Sequence, residues 1–221
     1  MGWVGIAAVR DAVNQDVAFH KFGGSVPRLQ VEYVIPDYTK PDKIAGGWDG
    51  LTRTTNAFKH HESKYYPGIE LKPATPGGPQ VESYFVIQLF NKQWWIGYNG
   101  YWLGYYESSL FKDMNAEDPN AKGMACVVKW YGEVFDYSPY FWTWTDMGSG
   151  EFADQGFEKA AYFRDPFYAD PAVVSHWPDS SSYVAPFNDS CYTRSPLFSG
   201  IWPWDRWFFA SGPGGDNPGC Y

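Results

Sequence analysis

The sequence predicts an all-β fold, an antiparallel β-sandwich of two packed sheets with little helix. Apolar and polar residues alternate with a period of two along much of the chain, which is the pattern of half-buried strands. The 23 glycines and 17 prolines are spread along all 221 residues, so turns are frequent and long helices are disfavoured. Aromatic residues make up 20% of the chain, which supplies the large side chains that fill the space between two sheets.

The alternation predicts the strands in chain order. In the first strand Leu29 and Val31 share a face with Tyr33 and Ile35. The intervening polar residues, among them Glu32, form the other face. The complete set of predicted strands is 26–35, 81–90, 93–98, 101–106, 124–135, 160–164 and 206–210.

The connections between these strands have recognisable turn chemistry. Gly97, Asn99 and Gly100 supply the positive φ angles of a tight hairpin between the strands at 93–98 and 101–106. Residues 69–79 contain three prolines and two glycines and are expected to form a long surface loop. Residues 108–115 are expected to form two helical turns that a serine caps at the start.

The composition describes one compact domain, residues 1–221, and excludes several classes of protein. A hydrophobic content of 44% with 19% charged residues allows a sizeable core and excludes disorder. The net charge of −8 excludes nucleic acid and anionic membranes as default partners. No apolar run approaches the roughly 20 residues of a membrane helix. The first residues lack a basic stretch, and Arg10 and Asp11 end the apolar run too early for a signal peptide.

Motifs for metal, nucleotide or nucleophile chemistry are missing from the sequence, so no metal or cofactor is expected. The adjacent residues His60 and His61 would point to opposite faces of a strand and could not easily chelate one ion. His20 and His176 stand alone in the sequence. Cys126 is expected to be a buried free thiol.

Glu133 is the carboxylate with the most suggestive surroundings. In the predicted strand 124–135 it shares a face with Lys129 and Tyr131, and the opposite face is apolar. Partial desolvation beside aromatic rings raises the pKa of a carboxyl group. Gly132 leaves room for another backbone or a substrate to approach. A paired-carboxylate catalyst needs such a setting. An ion pair of Glu133 with Lys129 is the structural alternative.

Five motifs follow one another in order along most of the remaining chain. They are WWIGYNGYWLGYYESSLF, VVKWYGEVFD, MGSGEFADQGFEKAAYF, CY at residues 191–192, and FFASGPGGDNPGC. Their order and spacing resemble the neprosin family of secreted glutamic peptidases over roughly residues 65–221, and MGSG is the most specific part. The resemblance implies a β-sandwich with two catalytic glutamates in a groove on one sheet, and it implies secretion. It also implies cleavage of a peptide or protein substrate at acid pH without a cofactor, after proline in the best-known member.

The resemblance also assigns individual residues. The stretch WYGEV at residues 130–134 corresponds to the family's Trp-Gly-Gly-Glu-Val, with Tyr131 replacing a glycine, so Glu133 takes the role of the second catalytic glutamate. The first one lies two residues before a Gly-Trp pair, whose counterpart is Gly2-Trp3, and would fall upstream of Met1. Trp3, Lys129 and Tyr131 are expected to line the substrate groove.

Three explanations for the first glutamate stay open. The start of the chain is misassigned or trimmed, or the protein has lost this acid and kept the fold. Alternatively Glu32 replaces it, although Arg28 on the same face would hold Glu32 ionised in a simple ion pair. Residues 4–64 resemble the family poorly and lack the cysteine pair that is usual there.

Two covalent features are implied in the same way. Cys191 and Cys220 correspond to cysteines of the family's closing segment and are expected to pair, which would stabilise the fold by about 3–4 kcal/mol in the chain-entropy model. Reduced thiols are the alternative if the protein is cytosolic. Asn188, in an Asn-Asp-Ser sequon, is the expected glycosylation site of a secreted protein.

The aromatic residues suggest a second class of function. Exposed rings on a sandwich offer flat platforms to sugars, so a catalytically inactive module that binds carbohydrate or protein is the alternative. Packing of the rings in the core is the structural explanation. The residues concerned are Trp94, Trp95, Tyr98, Tyr101, Trp102, Tyr105 and Tyr106 on one hairpin, and Tyr140, Trp142 and Trp144.

Overall fold

The computed structural model describes residues 3–9, 27–36, 44–49, 57–61, 64–111, 124–125, 127–132, 134, 146–179, 190–200 and 204–216. The fold is all-β, with antiparallel sheets and, in these ranges, helix only as short 3-10 turns, so the predicted fold class is confirmed. The chain divides into two compact units. Unit 1 is Met1–Pro73 with Val81–Val127, and unit 2 is Ala74–Gln80 with Val128–Tyr221. A single domain over residues 1–221 stays a prediction.

Unit 1 contains two antiparallel sheets. The first has the order β1-β2-β3, so that β2 is central, and the second has the order β4-β7-β6-β5. A 3-10 helix at Ser108–Phe111 follows the last strand. The strands are β1 (Trp3–Val9), β2 (Arg28–Pro36), β3 (Ile44–Asp49), β4 (Lys59–His60), β5 (Phe85–Phe90), β6 (Gln93–Tyr98) and β7 (Tyr101–Glu107).

The core of unit 1 lies between its two sheets. Leu29 and Val31 of β2 are buried in one cluster with Ile96 of β6 and with Leu103 and Tyr106 of β7. Apolar faces of two sheets that meet in this way form the interior of a β-sandwich. The prediction that Leu29 and Val31 face the core is therefore confirmed.

The opposite face of β2 differs from the prediction. Gln30, on the face that was predicted to be polar, is only 2% exposed, so this side chain does not reach solvent. The guanidinium of Arg28 donates from Nη2 to Glu70 Oε1 at 2.6 Å and from Nη1 to the Gly68 carbonyl at 3.0 Å. Arg28 thus has a carboxylate partner other than the predicted Glu32, whose side chain is outside the description.

The β6–β7 hairpin has the predicted turn with one difference. Asn99 and Gly100 have φ of 46° and 81°, which is the left-handed backbone of a two-residue type I′ turn. The Asn99 side chain accepts a hydrogen bond from the Tyr84 N–H at 2.7 Å. Gly97 has no positive φ and instead lies at a register shift, where an added Cβ would overlap Val86 Cγ1. Gly97 is therefore required by close packing and not by the turn.

The predicted bounds of three strands in unit 1 agree with the structure to different extents. Residues 93–98 form β6 as predicted, β5 begins four residues later than predicted at Phe85, and β7 continues to Glu107. The helical segment begins at Ser108 as predicted, as a 3-10 helix to Phe111, and residues 112–115 are outside the description. The strands β1, β3 and β4 were not predicted.

Unit 2 is built around one central strand. In its main sheet β13 (Arg206–Ser211) pairs with three other strands. Those strands are β8 (Tyr162–Arg164), β11 (Thr193–Arg194) and β12 (Phe198–Ser199). The hairpin of β9 (Tyr168–Ala169) and β10 (Ser175–His176) is separate, and 3-10 helices lie at Ala153–Gln155 and Gly214–Asp216. The small core packs Phe209, Ala153 and Ala160 with Tyr162 and Trp207.

The predicted strand at 124–135 is wrong for the residues of it that are described, since none of them is in a strand. Val128, which was assigned to the core face, is 48% exposed. Residues 127–129, 131 and 132 are all exposed while Trp130 and Val134 are half-buried, so the predicted alternation of burial is also absent there. Cys126 lies outside the described residues. The loop at 69–79 is confirmed as a surface loop, with residues 72–77 exposed.

Candidate active site

The predicted groove residues Lys129 and Tyr131 lie on the surface of unit 2. Tyr131 is 54% exposed and Lys129 is exposed as well, while Trp130 between them is half-buried. Val128, which begins the second segment of unit 2, and Val127 before it are also exposed, so this stretch presents apolar groups to solvent. A cation, a phenol and apolar side chains together are suited to contacting a peptide backbone and its side chains.

The other predicted site residues are described in part or lie outside the description. Glu133, Asn188 and Cys220 are outside the described residues. Trp3 begins β1 opposite Val34, and Glu32 on β2 pairs with Gly5 and Trp48, but only the backbone of these strands is described there. Trp3 and Glu32 belong to unit 1, whereas Lys129 and Tyr131 belong to unit 2.

The MGSG motif forms a turn at residues 147–150 that is fixed to the end of β13. The Met147 N–H donates to the Gly212 carbonyl at 2.9 Å, and the Gly212 N–H donates back to the Met147 carbonyl at 3.1 Å. The buried Ser211 hydroxyl donates to the same Met147 carbonyl at 2.8 Å. Its proton is thereby used, so Ser149 is the donor in the 3.3 Å contact between the two serine hydroxyls.

The glycines of this region are explained by backbone conformation and close packing. Gly148 has φ of 67°, and a Cβ there would overlap Ala161 Cβ and lie 3.0 Å from Ser211 Oγ. A Cβ at Gly212 would overlap the Cys191 carbonyl oxygen and lie 2.7 Å from Tyr192 Cα. A side chain at Gly148 would force the turn away from Ala161 and Ser211, and a side chain at Gly212 would force its backbone away from Cys191 and Tyr192.

Gly132 is in close contact with Met147. A Cβ at Gly132 would overlap Met147 Sδ and lie 2.9 Å from Met147 Cγ. The expectation that Gly132 leaves room for a backbone or a substrate is thus corrected, because a methionine side chain takes that space. The residue that follows Gly132 in the chain is Glu133. The most specific motif of the sequence therefore packs against the neighbour of the candidate catalytic carboxylate.

Cys191 lies beside the same structure. It is 1% exposed and disulfide-bonded, and its carbonyl accepts the Gly214 N–H at 3.2 Å. The partner cysteine is not among the described residues, so pairing with Cys220 stays a prediction.

A second group of titratable residues, not predicted from the sequence, closes the β9–β10 hairpin. Asp170 Oδ2 lies 2.9 Å from His176 Nε2, and Asp170 Oδ1 accepts the N–H groups of Ala172 and Val174 at 2.9 Å each. The hydrogen bond with His176, followed by that from the Val174 N–H, lowers the pKa of Asp170 below its ordinary value. Among the described residues, no three His, Cys, Asp or Glu side chains are grouped so that they could hold a metal ion.

Asp170→Asn is expected to lower the melting temperature near neutral pH, because a neutral amide makes weaker hydrogen bonds with His176 and with the two backbone N–H groups than a carboxylate does. A carboxyl whose pKa is lowered in the folded state contributes stability above its unfolded pKa of about 3.9, and loses it as pH falls through the folded value. The difference from wild type should therefore be constant above about pH 5 and shrink towards pH 2. Thermal unfolding at each pH checks this, with the exposed Asp154→Asn as control. A difference that grows in acid would contradict it.

The sequence of this chain matches the model of one known protein family. The family model described as Neprosin matches residues 33–213, more than half of the chain and inclusive of Glu133, the 147–150 turn and Ser211. The match begins well before residue 65, so residues 33–64 fit the family better than the sequence suggested, while Trp3 and Glu32 precede the matched range. The described helices are all too short to cross a membrane. The chain belongs to the Neprosin family, which is a family of peptidases whose members are generally extracellular.

Proposed function

We propose that this protein is a glutamic endopeptidase that hydrolyses peptide bonds at acid pH through two carboxyl groups, one of them Glu133. Family membership supports peptide-bond hydrolysis. The observation that carries the residue assignment is the close contact of Met147, in the MGSG turn, with Gly132 directly before Glu133. The substrate is a peptide or protein, and bonds after proline are the first to test.

In this proposal the two carboxyl groups share the work of hydrolysis. One, ionised, acts as general base and takes a proton from the water that attacks the scissile carbonyl. The other, protonated, polarises that carbonyl and then gives its proton to the leaving amine. Two carboxyl groups that share a proton have widely separated apparent pKa values, so both forms coexist in acid. Two carboxyl groups and a water molecule suffice for this reaction.

The second carboxyl group has two candidates. One is a glutamate encoded upstream of Met1, as the resemblance implies. The other is Glu32, whose backbone lies on the central strand β2 and which precedes the matched range by one residue. Expression of residues 1–221, and of the same chain preceded by the codons upstream of Met1, separates the two. Activity of the shorter chain that Glu32→Gln removes would favour Glu32.

The same proposal places the protein outside the cell, with Asn188 glycosylated. A disulfide bond at Cys191 suits an oxidising compartment, because cytosolic thiols are kept reduced. Treatment of secreted protein with a peptide N-glycosidase should remove one glycan, and Asn188→Gln should remove the same mass. An unchanged mass after both would contradict the assignment of Asn188.

The function is tested by mapping the products from a mixture of proline-rich peptides incubated between pH 2 and 7. Mass spectrometry should find new termini in acid, mainly after proline, and few of them near neutral pH. Peptides that stay intact with a folded sample of both chain lengths would overturn the proposal.

The alternative is a catalytically inactive member of the family that binds carbohydrate or protein through exposed rings. On the β6–β7 hairpin Tyr101 and Trp102 are exposed, and Trp95 packs against Trp102 with ring centres 5.9 Å apart. The rings of Trp94, Tyr98 and Tyr106 are buried in the core instead. Tyr105 is half-buried and its ring centre lies 4.8 Å from that of Trp95. The last three candidates, Tyr140, Trp142 and Trp144, are outside the description. Oligosaccharide binding that Trp102→Ala abolishes, without peptide cleavage, would favour this function.

A further inference from the structure

We propose that Met147 is a positioning residue for Glu133. Its side chain packs on Gly132, the residue directly before Glu133 in the chain, and we infer that this contact restrains the position of the carboxyl group. The inference rests on the proposed function and adds a part to it, namely the means by which the carboxyl group is held in place.

The backbone of Met147 is hydrogen-bonded to residues at the end of β13, the central strand of the main sheet described in unit 2. Two hydrogen bonds join it to Gly212, and the Ser211 hydroxyl binds its carbonyl as a third. Ser211 ends β13, which pairs with β8, β11 and β12. A residue held by three hydrogen bonds next to a central strand is a rigid support, as a functional site requires.

The segment that Met147 supports has little regular structure of its own. Residues 127–132 form no strand, and most of their side chains are exposed. The packing of Met147 against Gly132 therefore restrains a backbone that belongs to no described sheet at residues 127–132. The absence of a Cβ at Gly132 allows the thioether to reach the backbone itself, since a Cβ would overlap Met147 Sδ.

Catalysis is sensitive to this contact because reacting groups must be held within about 0.5 Å of their working geometry. A displacement of about 1 Å can cost on the order of 10²-fold in rate. In this proposal the contact serves the carboxyl group that follows Gly132, whereas the exposed Lys129, three residues before Gly132, meets the substrate without it. The effect should therefore fall on kcat more than on KM.

The test compares Gly132→Ala, Met147→Ala and the double variant in peptide cleavage at acid pH. Gly132→Ala should lower kcat by on the order of 10²-fold, because the new methyl group displaces the backbone. Met147→Ala should lower it by about tenfold through loss of the restraint. The double variant should recover about tenfold over Gly132→Ala, because the methyl group then enters the space that the thioether leaves.

Two further variants separate positioning from general stability. Met147→Leu, close in volume, should keep kcat within about threefold of wild type. Met124→Ala, at a half-buried methionine of unit 1, should leave kcat and the pH profile unchanged. Thermal unfolding of each variant shows whether it folds. If Gly132→Ala or Met147→Ala does not fold, the kcat values of Met147→Leu and of the double variant are compared with wild type instead.

The outcomes separate the inference from the function on which it rests. Wild-type kcat and pH profile in folded Met147→Ala, or a double variant no better than Gly132→Ala, would overturn the positioning role and leave the peptidase intact. A wild type that is inactive at both chain lengths, or a fully active Glu133→Gln, would overturn both.

Discussion

Phe111→Ala is expected to lower the free energy of unfolding by about 3–5 kcal/mol, the usual cost of removing a fully buried phenyl ring. Phe111 is 1% exposed, ends the 3-10 helix after β7 and makes an edge contact with Tyr106, with ring centres 6.2 Å apart. Both rings belong to the cluster between the two sheets of unit 1. Removal of the ring would leave a cavity beside β7 that rigid neighbours fill only in part.

Urea denaturation followed by tryptophan fluorescence measures this change. Phe90→Ala is the matched control, because Phe90 ends β5 with 59% of its surface exposed. Its loss should cost less than about 1 kcal/mol, since little apolar surface is withdrawn from water there. Equal destabilisation by the two substitutions would show that the cluster of unit 1 is not the core of the fold.

Glu133→Gln is expected to lower kcat for peptide cleavage in acid by on the order of 10²–10⁴-fold, the usual contribution of a general acid or base. An amide has nearly the size of the carboxyl group but cannot transfer the proton. KM should change little, because the proposed groove contacts of Tyr131 and Lys129 remain.

Glu151→Gln is the control for Glu133→Gln, since Glu151 is an exposed glutamate directly after the 147–150 turn. It should keep wild-type kcat. Initial rates on one fluorogenic peptide at pH 3 to 5 suffice for both variants. If Glu133→Gln and Glu151→Gln were equally active, the assignment of Glu133 would be wrong.

The fold could be predicted where turn residues bound an apolar run. Strand β6 has its predicted bounds because residues with positive φ flank it on both sides, Asn91 and Lys92 before it and Asn99 and Gly100 after it. Strand β3, with sequence IAGGWD, was missed since two adjacent glycines leave no alternation to read. Residues 124–135 alternate in sequence, but where described they form no strand and Val128 of the predicted apolar face is exposed, so alternation alone predicted neither pairing nor burial there.

The candidate site could be predicted only in part. Its most specific motif, MGSG, could be recognised in the sequence, but the contacts that require these residues could not be predicted from it. Ser211 lies 64 residues from Met147, and no local pattern signals a hydroxyl that will meet a carbonyl at that separation. Asp170 and His176 are six residues apart and meet only when the hairpin between them closes. Sequence patterns identify candidates, whereas contacts between distant segments assign them roles.

The most direct test of the carboxylate mechanism is the pH dependence of kcat/KM for one proline-containing peptide between pH 2 and 8. A pair of carboxyl groups that shares one proton predicts a maximum in acid. The rate should fall at lower pH as the pair takes up a second proton and at higher pH as it loses the shared one. A rate that instead rises through neutral pH and stays constant to pH 8 would contradict the mechanism.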